Sequence, residues 1–295
     1  MTQPITNTAH IITLADGREL GYAEYGSPTG TPVLFCHGAP GSRLSIFADM
    51  SQAAADRNLR LISPDRPGYG LSTFKSSDSL LDWASDAREL LAKLEIDRCK
   101  VIGFSMGSMF AFACAYALPQ HIERVAIVGA AAPMEVEGVL DGLSTTSCEL
   151  FALARADVAT FSDVINSMAS DGSAVFAAMT ATMSEPDKLI LAATPQAFTN
   201  DFNATVASGS QGVTNDLVLA ANPWGFLPAE IKCHVDLWVG SEDSNTPPAM
   251  THYMASILPN NRVFELQGEG HCCLYTHWEA VLDALLEPRD IVETA

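Results

Sequence analysis

Two spacing regimes alternate along this chain. Short strand-like segments rich in apolar residues recur at residues 32–36, 59–63, 125–129, 235–240 and 263–266. The first of them, Pro32-Val33-Leu34-Phe35-Cys36, is a continuous apolar run, as expected of a strand buried on both faces. Between them, apolar residues repeat at helical spacing. From Ser79 to Leu94, the residues Leu80, Leu81, Ala84, Ala87, Leu90, Leu91 and Leu94 fall on one face. A second helical pattern runs from about residue 44 to 56. The chain opens differently, with apolar segments 11–14 and 19–25 flanking Asp16-Gly17, a two-residue hairpin signal. Strands alternating with helices imply an α/β fold, a mostly parallel sheet flanked by helices on both faces.

The alternation stops between residues 134 and 228. That stretch has no run resembling a buried strand. It carries apolar residues at helical spacing, such as Leu150, Phe151, Leu153 and Ala154, then Val175, Phe176, Ala178 and Met179. It holds eleven Asp or Glu against only Arg155 and Lys188. The pattern predicts a helical cap, 134–228, inserted into a core domain made of 1–133 and 229–295.

The sharpest local signal is Gly103-Phe104-Ser105-Met106-Gly107. It follows the apolar pair Val101-Ile102 and opens a helical stretch, so a serine sits at the apex of a strand–turn–helix. Small residues two before and two after it let strand and helix pass closely, and the tight turn lifts the hydroxyl clear of the sheet. A serine hydroxyl needs a base to take its proton and a carboxylate to orient that base. In such a sheet these groups are expected on later strand-end loops, in the order acid, then histidine. Asp243 lies just past strand 235–239, and Glu242 beside it is the competing acid. His271 follows strand 263–266 on the Gly-rich loop Gln267-Gly268-Glu269-Gly270. The loop after the strand that follows Ser105 reads Ala130-Ala131-Ala132-Pro133 and offers no carboxylate.

A tetrahedral intermediate also needs backbone N–H donors. One is expected from Met106, the residue after the serine. The other is expected from the strand-end loop His37-Gly38-Ala39-Pro40-Gly41-Ser42, at the N–H of Ala39. His37 is read as bracing that loop and as one of the residues around the substrate, together with cap residues Phe151, Phe176, Met179 and Phe202. Phe161, Met168 and Met183 are further candidates for the apolar wall.

Together, His37-Gly38, Asp65-Arg66-Pro67-Gly68-Tyr69-Gly70-Leu71-Ser72, Gly103-x-Ser105-x-Gly107, Gly240-x-x-Asp243 and Gly270-His271 resemble the α/β-hydrolase superfamily. The resemblance covers almost the whole chain outside the cap. It implies the α/β-hydrolase fold, with Ser105 as nucleophile, Asp243 as acid, His271 as base, and Ala39 with Met106 as oxyanion donors. Members that act on halides or epoxides carry Asp at the elbow, where this chain has Ser105. The expected activity is cofactor-free hydrolysis of a small or medium carboxylic ester or lactone. His37-Gly38-Ala39-Pro40-Gly41 is also similar to the H-G-G-P-G stretch of proline iminopeptidases, in which cap carboxylates hold an ammonium group; Glu135 and Glu137 are the candidates here. Carbon–carbon bond hydrolysis with the same triad and a non-catalytic ligand receptor are the other readings.

Composition narrows the partners. A formal charge of −19 repels phosphate backbones and anionic membranes, so neither nucleic acid nor membrane is an expected partner. No apolar run approaches the roughly 20 residues that span a bilayer. The first residues lack the basic and apolar regions of a signal peptide, so the expected location is cytoplasmic. Seven cysteines without a C-x-x-C pair read as buried thiols, with no metal site expected. Oligomeric state is not encoded in any pattern found.

Overall fold

A computed structural model describes residues 5–169 and 183–288. Eight strands form one sheet: β1 (Ile5–Thr13), β2 (Glu19–Gly26), β3 (Thr31–Cys36), β4 (Leu59–Pro64), β5 (Cys99–Phe104), β6 (Ile122–Val128), β7 (His234–Gly240) and β8 (Asn261–Leu266). Their order is β1-β2-β4-β3-β5-β6-β7-β8. The β1–β2 and β2–β4 pairs are antiparallel, and every later pair is parallel.

The continuous apolar runs have a simple origin: successive residues feed two different cores. In β3, Leu34 and Cys36 pack on one face with helices α2 (Leu80–Lys93), α3 (Gly107–Ala117) and α9 (Pro248–Ile257). Val33 and Phe35 pack on the other face with α1 (Ala48–Asp56) and α11 (Trp278–Leu286). The same split recurs in β6, with Val125 and Ile127 against Ala126 and Val128. Alternation by two along a strand therefore needs apolar residues at every position.

Between β6 and β7 lie the helices α4 (Thr145–Ala156), α5 (Val158–Ala169), α6 (Glu185–Ala193), α7 (Pro195–Thr205) and α8 (Gln211–Ala221). They have a small core of their own around Ala154, Phe161, Ile165 and Ala221. The chain returns through Trp224, which is buried and stacks near Phe112 and Phe226 against α3. A short helix, α10 (Cys273–Thr276), follows the β8 loop and precedes α11.

Two local expectations shift. The hairpin is not a two-residue turn: β1 ends at Thr13 and β2 begins at Glu19. Gly17 takes a left-handed φ of +88°, its N–H donates to the Leu14 carbonyl at 3.0 Å, and the Leu14 N–H donates to the Arg18 carbonyl at 2.8 Å, closing a three-residue loop. The helical pattern from residue 44 also begins late, at Ala48. The preceding segment is held as a loop, because Ser42 and Ser45 bond to Asp201 and the Arg43 N–H bonds to Asp65.

Candidate active site

The C-terminal ends of β3, β5, β7 and β8 converge on one point. Ser105 follows β5 directly and has a φ of +54°. A non-glycine residue there costs about 1–3 kcal/mol. The surroundings hold it: the Ser105 N–H donates to the Val128 carbonyl at 2.9 Å, and its carbonyl accepts from Ser108 at 2.9 Å. The flanking glycines are sterically required. A Cβ on Gly107 would lie 2.0 Å from the Cys36 carbonyl oxygen, and one on Gly103 2.8 Å from Ala111 Cβ.

The Ser105 hydroxyl donates to His271 Nε2 at 2.8 Å, and His271 Nδ1–H donates to Asp243 Oδ2 at 2.9 Å. Asp243 is fixed in turn by N–H donors from Asn245 and Thr246 and by the Thr246 hydroxyl, each at 2.9 Å. All three side chains are buried. Burial pushes the His271 imidazole towards neutrality, but the Asp243 carboxylate, through its charge and its hydrogen bond, and then Asp187 outweigh this. Its pKa is raised above the ordinary imidazole value. The series can take a proton from the serine hydroxyl and hold it on an imidazolium.

The β3 loop presents its peptide in a definite sense. The Gly38 carbonyl accepts from His37 Nδ1–H at 2.8 Å and from Arg66 Nη2 at 3.0 Å. A trans peptide points its N–H opposite to its C=O. The Ala39 N–H is therefore turned away from Arg66, to the side where Gly38, Ala39, Ser105 and Met106 border a common cavity. Arg66 is completely buried; it also donates to the His37 carbonyl at 2.5 Å and to Asp216 of α8 at 2.7 Å. Tyr69 O–H completes the network at Asp216, also at 2.7 Å. Burial, followed by the Arg66 charge, holds the His37 pKa well below the imidazole range, which keeps the ring a neutral brace.

The cavity holds about 280 Å³. Its floor is Ser105, His271, Met106 and the Gly38-Ala39-Pro40 turn. Its walls are largely apolar: Phe104, Leu143, Phe151, Met183, Leu191, Phe198, Phe202, Leu217 and Tyr275. One carboxylate reaches it among the described residues, that of Asp201 on α7. Asp201 accepts from Ser42 at 2.5 Å and Ser45 at 2.6 Å, and burial lifts its pKa to about 6.

A family model for the alpha/beta hydrolase fold matches residues 31–277. The chain belongs to the alpha/beta hydrolase fold family. An enol-lactonase from Burkholderia xenovorans superposes with a TM-score of 0.71 at 19% identity, covering 94% of this chain and 99% of that one. An esterase from Exiguobacterium antarcticum does so with 0.68 at 20% identity, covering 94% and 98%. At such identities these matches speak for the fold. A proline iminopeptidase from Xylella fastidiosa is 30% identical over 126 residues, 40% of this chain and 38% of that enzyme. The chain thus matches well under half the length of that curated relative.

Within this α/β hydrolase, Ser105, His271 and Asp243 are brought together, with Ala39 and Met106 beside them. Glu242, the competing acid, is exposed. Phe151 and Phe202 line the cavity, as does Met183. His37 does not: it is wholly buried beneath the loop, with both ring nitrogens engaged there. That corrects its placement around the substrate. Phe161 belongs to the cap's own core, and Met168 is exposed. Phe176 and Met179 lie outside the described residues. Glu135 and Glu137 are exposed and border no part of the cavity, which corrects their candidacy as ammonium ligands.

Sequence reasoning missed three buried acids, Asp187, Asp201 and Asp216. They lie in helices whose acidity reads as surface charge. The only available signal was the neighbourhood of Asp187, where Ser184-Glu185-Pro186-Asp187 has the look of a helix start. No helix among the described residues is long and apolar enough to cross a membrane. No metal-holding group of His, Cys, Asp or Glu occurs among them.

Proposed function

We propose that this chain is a serine hydrolase of small or medium carboxylic esters or lactones, working through an acyl-enzyme on Ser105. The observation that carries the reading is the unbroken series Ser105–His271–Asp243, at 2.8 and 2.9 Å, on the floor of an apolar cavity. Ser105 Oγ attacks the substrate carbonyl carbon while His271 Nε2 takes the hydroxyl proton. The oxyanion that forms is met by the N–H groups of Ala39 and Met106. The imidazolium, steadied by Asp243, gives its proton to the leaving alkoxide, and the alcohol departs. Water then enters, loses a proton to His271, and releases the acid from Ser105. A lactone follows the same course, with the alcohol still tethered. No step calls for a cofactor. The cavity volume lies near the lower end for ligand sites, which suits a short or medium acyl group.

The test is hydrolysis of p-nitrophenyl esters of increasing acyl length by the wild type and by Ser105→Ala. Wild-type turnover reduced roughly 10⁴-fold or more in the variant is expected. No turnover by well-folded wild type would reject the esterase reading and favour a ligand receptor.

A second reading, release of an amino-acyl group, draws support from Asp201 alone. A buried carboxylate bordering the cavity, whose side-chain partners are the Ser42 and Ser45 hydroxyls, would accept a substrate ammonium. An amino-acyl ester preferred at least tenfold over its deaminated analogue, with the preference lost in Asp201→Asn, would establish it.

A further inference from the structure

We propose that Asp187, carried by the helical cap, is a positioning residue for His271. The observation is a clamp across two separate parts of the fold. Asp187 stands in the first turn of α6 and is completely buried. Its Oδ2 accepts the His271 N–H at 3.0 Å, and its Oδ1 accepts the Cys272 N–H at 2.6 Å. The Ser184 hydroxyl donates to Oδ2 at 2.8 Å. Among the described residues no Lys or Arg pairs with it. Its charge is met by backbone N–H groups, the Ser184 hydroxyl, the Cys272 thiol and the positive end of α6.

The fit is close enough to dictate a residue on the opposite side. A Cβ on Gly270 would fall 2.2 Å from Ser184 Oγ and 2.4 Å from Asp187 Oδ2. The glycine before His271 is therefore a requirement of cap contact as much as of loop geometry. With both N–H groups held, the backbone of His271 is fixed from the cap side while its ring is fixed by Asp243. Only then does Nε2 meet Ser105.

The clamp also has an electrostatic arm. The carboxylates acting on His271 are Asp243, from the β7 loop, and Asp187, from the cap; the adjacent Cys272 thiol is kept protonated by burial and by Asp187. A second buried anion favours the imidazolium that forms when Ser105 gives up its proton. Cap docking and base strength are thus linked through one side chain.

This inference rests on His271 serving as the base, so its test includes a readout independent of turnover. The His271 ring protons are titrated by NMR in Ser105→Ala and in Ser105→Ala/Asp187→Asn. In parallel, kcat and KM are followed against pH for wild type, Asp187→Asn and Asp187→Glu on a p-nitrophenyl ester. Asp187→Asn is near-isosteric and keeps one acceptor, so folding is expected to survive. The expected result is a fall of at least about 0.5 unit in the His271 titration midpoint. The acid limb of kcat/KM should move down with it. kcat should drop about tenfold or more with KM little changed, and Asp187→Glu should recover part of both. An unmoved titration midpoint, with only thermal stability reduced, would overturn the proposal. Absence of any Ser105-dependent turnover would defeat the hydrolase reading, while the NMR titration would still decide the role of Asp187.

Discussion

Arg66→Met tests the network beneath the β3 loop. Methionine keeps the length and bulk of the stem and its packing over Phe110, whose ring centre lies 4.4 Å from the guanidinium carbon. What is lost is charge and three directed bonds, to Asp216 at 2.7 Å, the His37 carbonyl at 2.5 Å and the Gly38 carbonyl at 3.0 Å. Asp216 then keeps only Tyr69 in a buried setting. Breaking a buried ion pair from one side costs about 3–5 kcal/mol. Arg66→Met/Asp216→Asn removes the stranded charge while leaving an acceptor for Tyr69. It should be more stable than Arg66→Met by at least about 1 kcal/mol, a coupling expected of groups in direct contact. The midpoint and slope of urea unfolding at neutral pH measure both. The kinetic half is separate: with the Gly38 carbonyl released, the Ala39 N–H loses its aim, and kcat on a p-nitrophenyl ester should fall by about 10²-fold in both variants. A single variant within 1 kcal/mol of wild type would refute the energetic argument. Unchanged kcat in a destabilised Arg66→Met would refute the claim that this arginine orients the peptide.

Asp201 gives a pH signature. Its folded pKa of about 6 exceeds the ordinary 3.8, so its contribution to stability is full below about pH 4 and is lost as pH rises through 6. The difference corresponds to about 3 kcal/mol. Unfolding of the wild type minus that of Asp201→Asn, measured from pH 4 to 7.5, should show this decline; a flat difference would contradict it. At the elbow, Gly103→Ala should cost about 1–3 kcal/mol, since the new Cβ presses on Ala111. Gly107→Ala should cost more, because it meets the Cys36 carbonyl and neither partner can yield. Thermal unfolding ranks the two, and the reverse order would show that helix α3 can shift where the packing says it cannot.

Central strands such as β3 and β6 were legible because burial on both faces leaves a run of apolar residues, and the elbow because its close approaches demand glycine at fixed offsets. The stretch from Asp65 to Ser72 stood out as a motif, but its work was not readable. Asp65 accepts from the Arg43 and Leu71 N–H groups, and Arg66 reaches across to the β3 loop. The stretch between β6 and β7 was legible as helical and acidic, yet not in its details. Helical spacing cannot distinguish Phe161, which packs inside the cap, from Phe151, which borders the cavity. Nor does an aspartate in a helix announce that its partner lies more than a hundred residues away. Asp216 and Arg66 are 150 apart in sequence, and that pairing follows only from the fold.

The three inward acids of the cap have a consequence for building variants of this protein. Asp187, Asp201 and Asp216 each bond to a different core loop, those bearing His271, Ser45 and Arg66. The roof and the floor of the cavity are therefore not interchangeable modules. A chimaera carrying a foreign roof must bring acceptors at all three points, or it will inherit a new cavity above loops that no longer hold their shape.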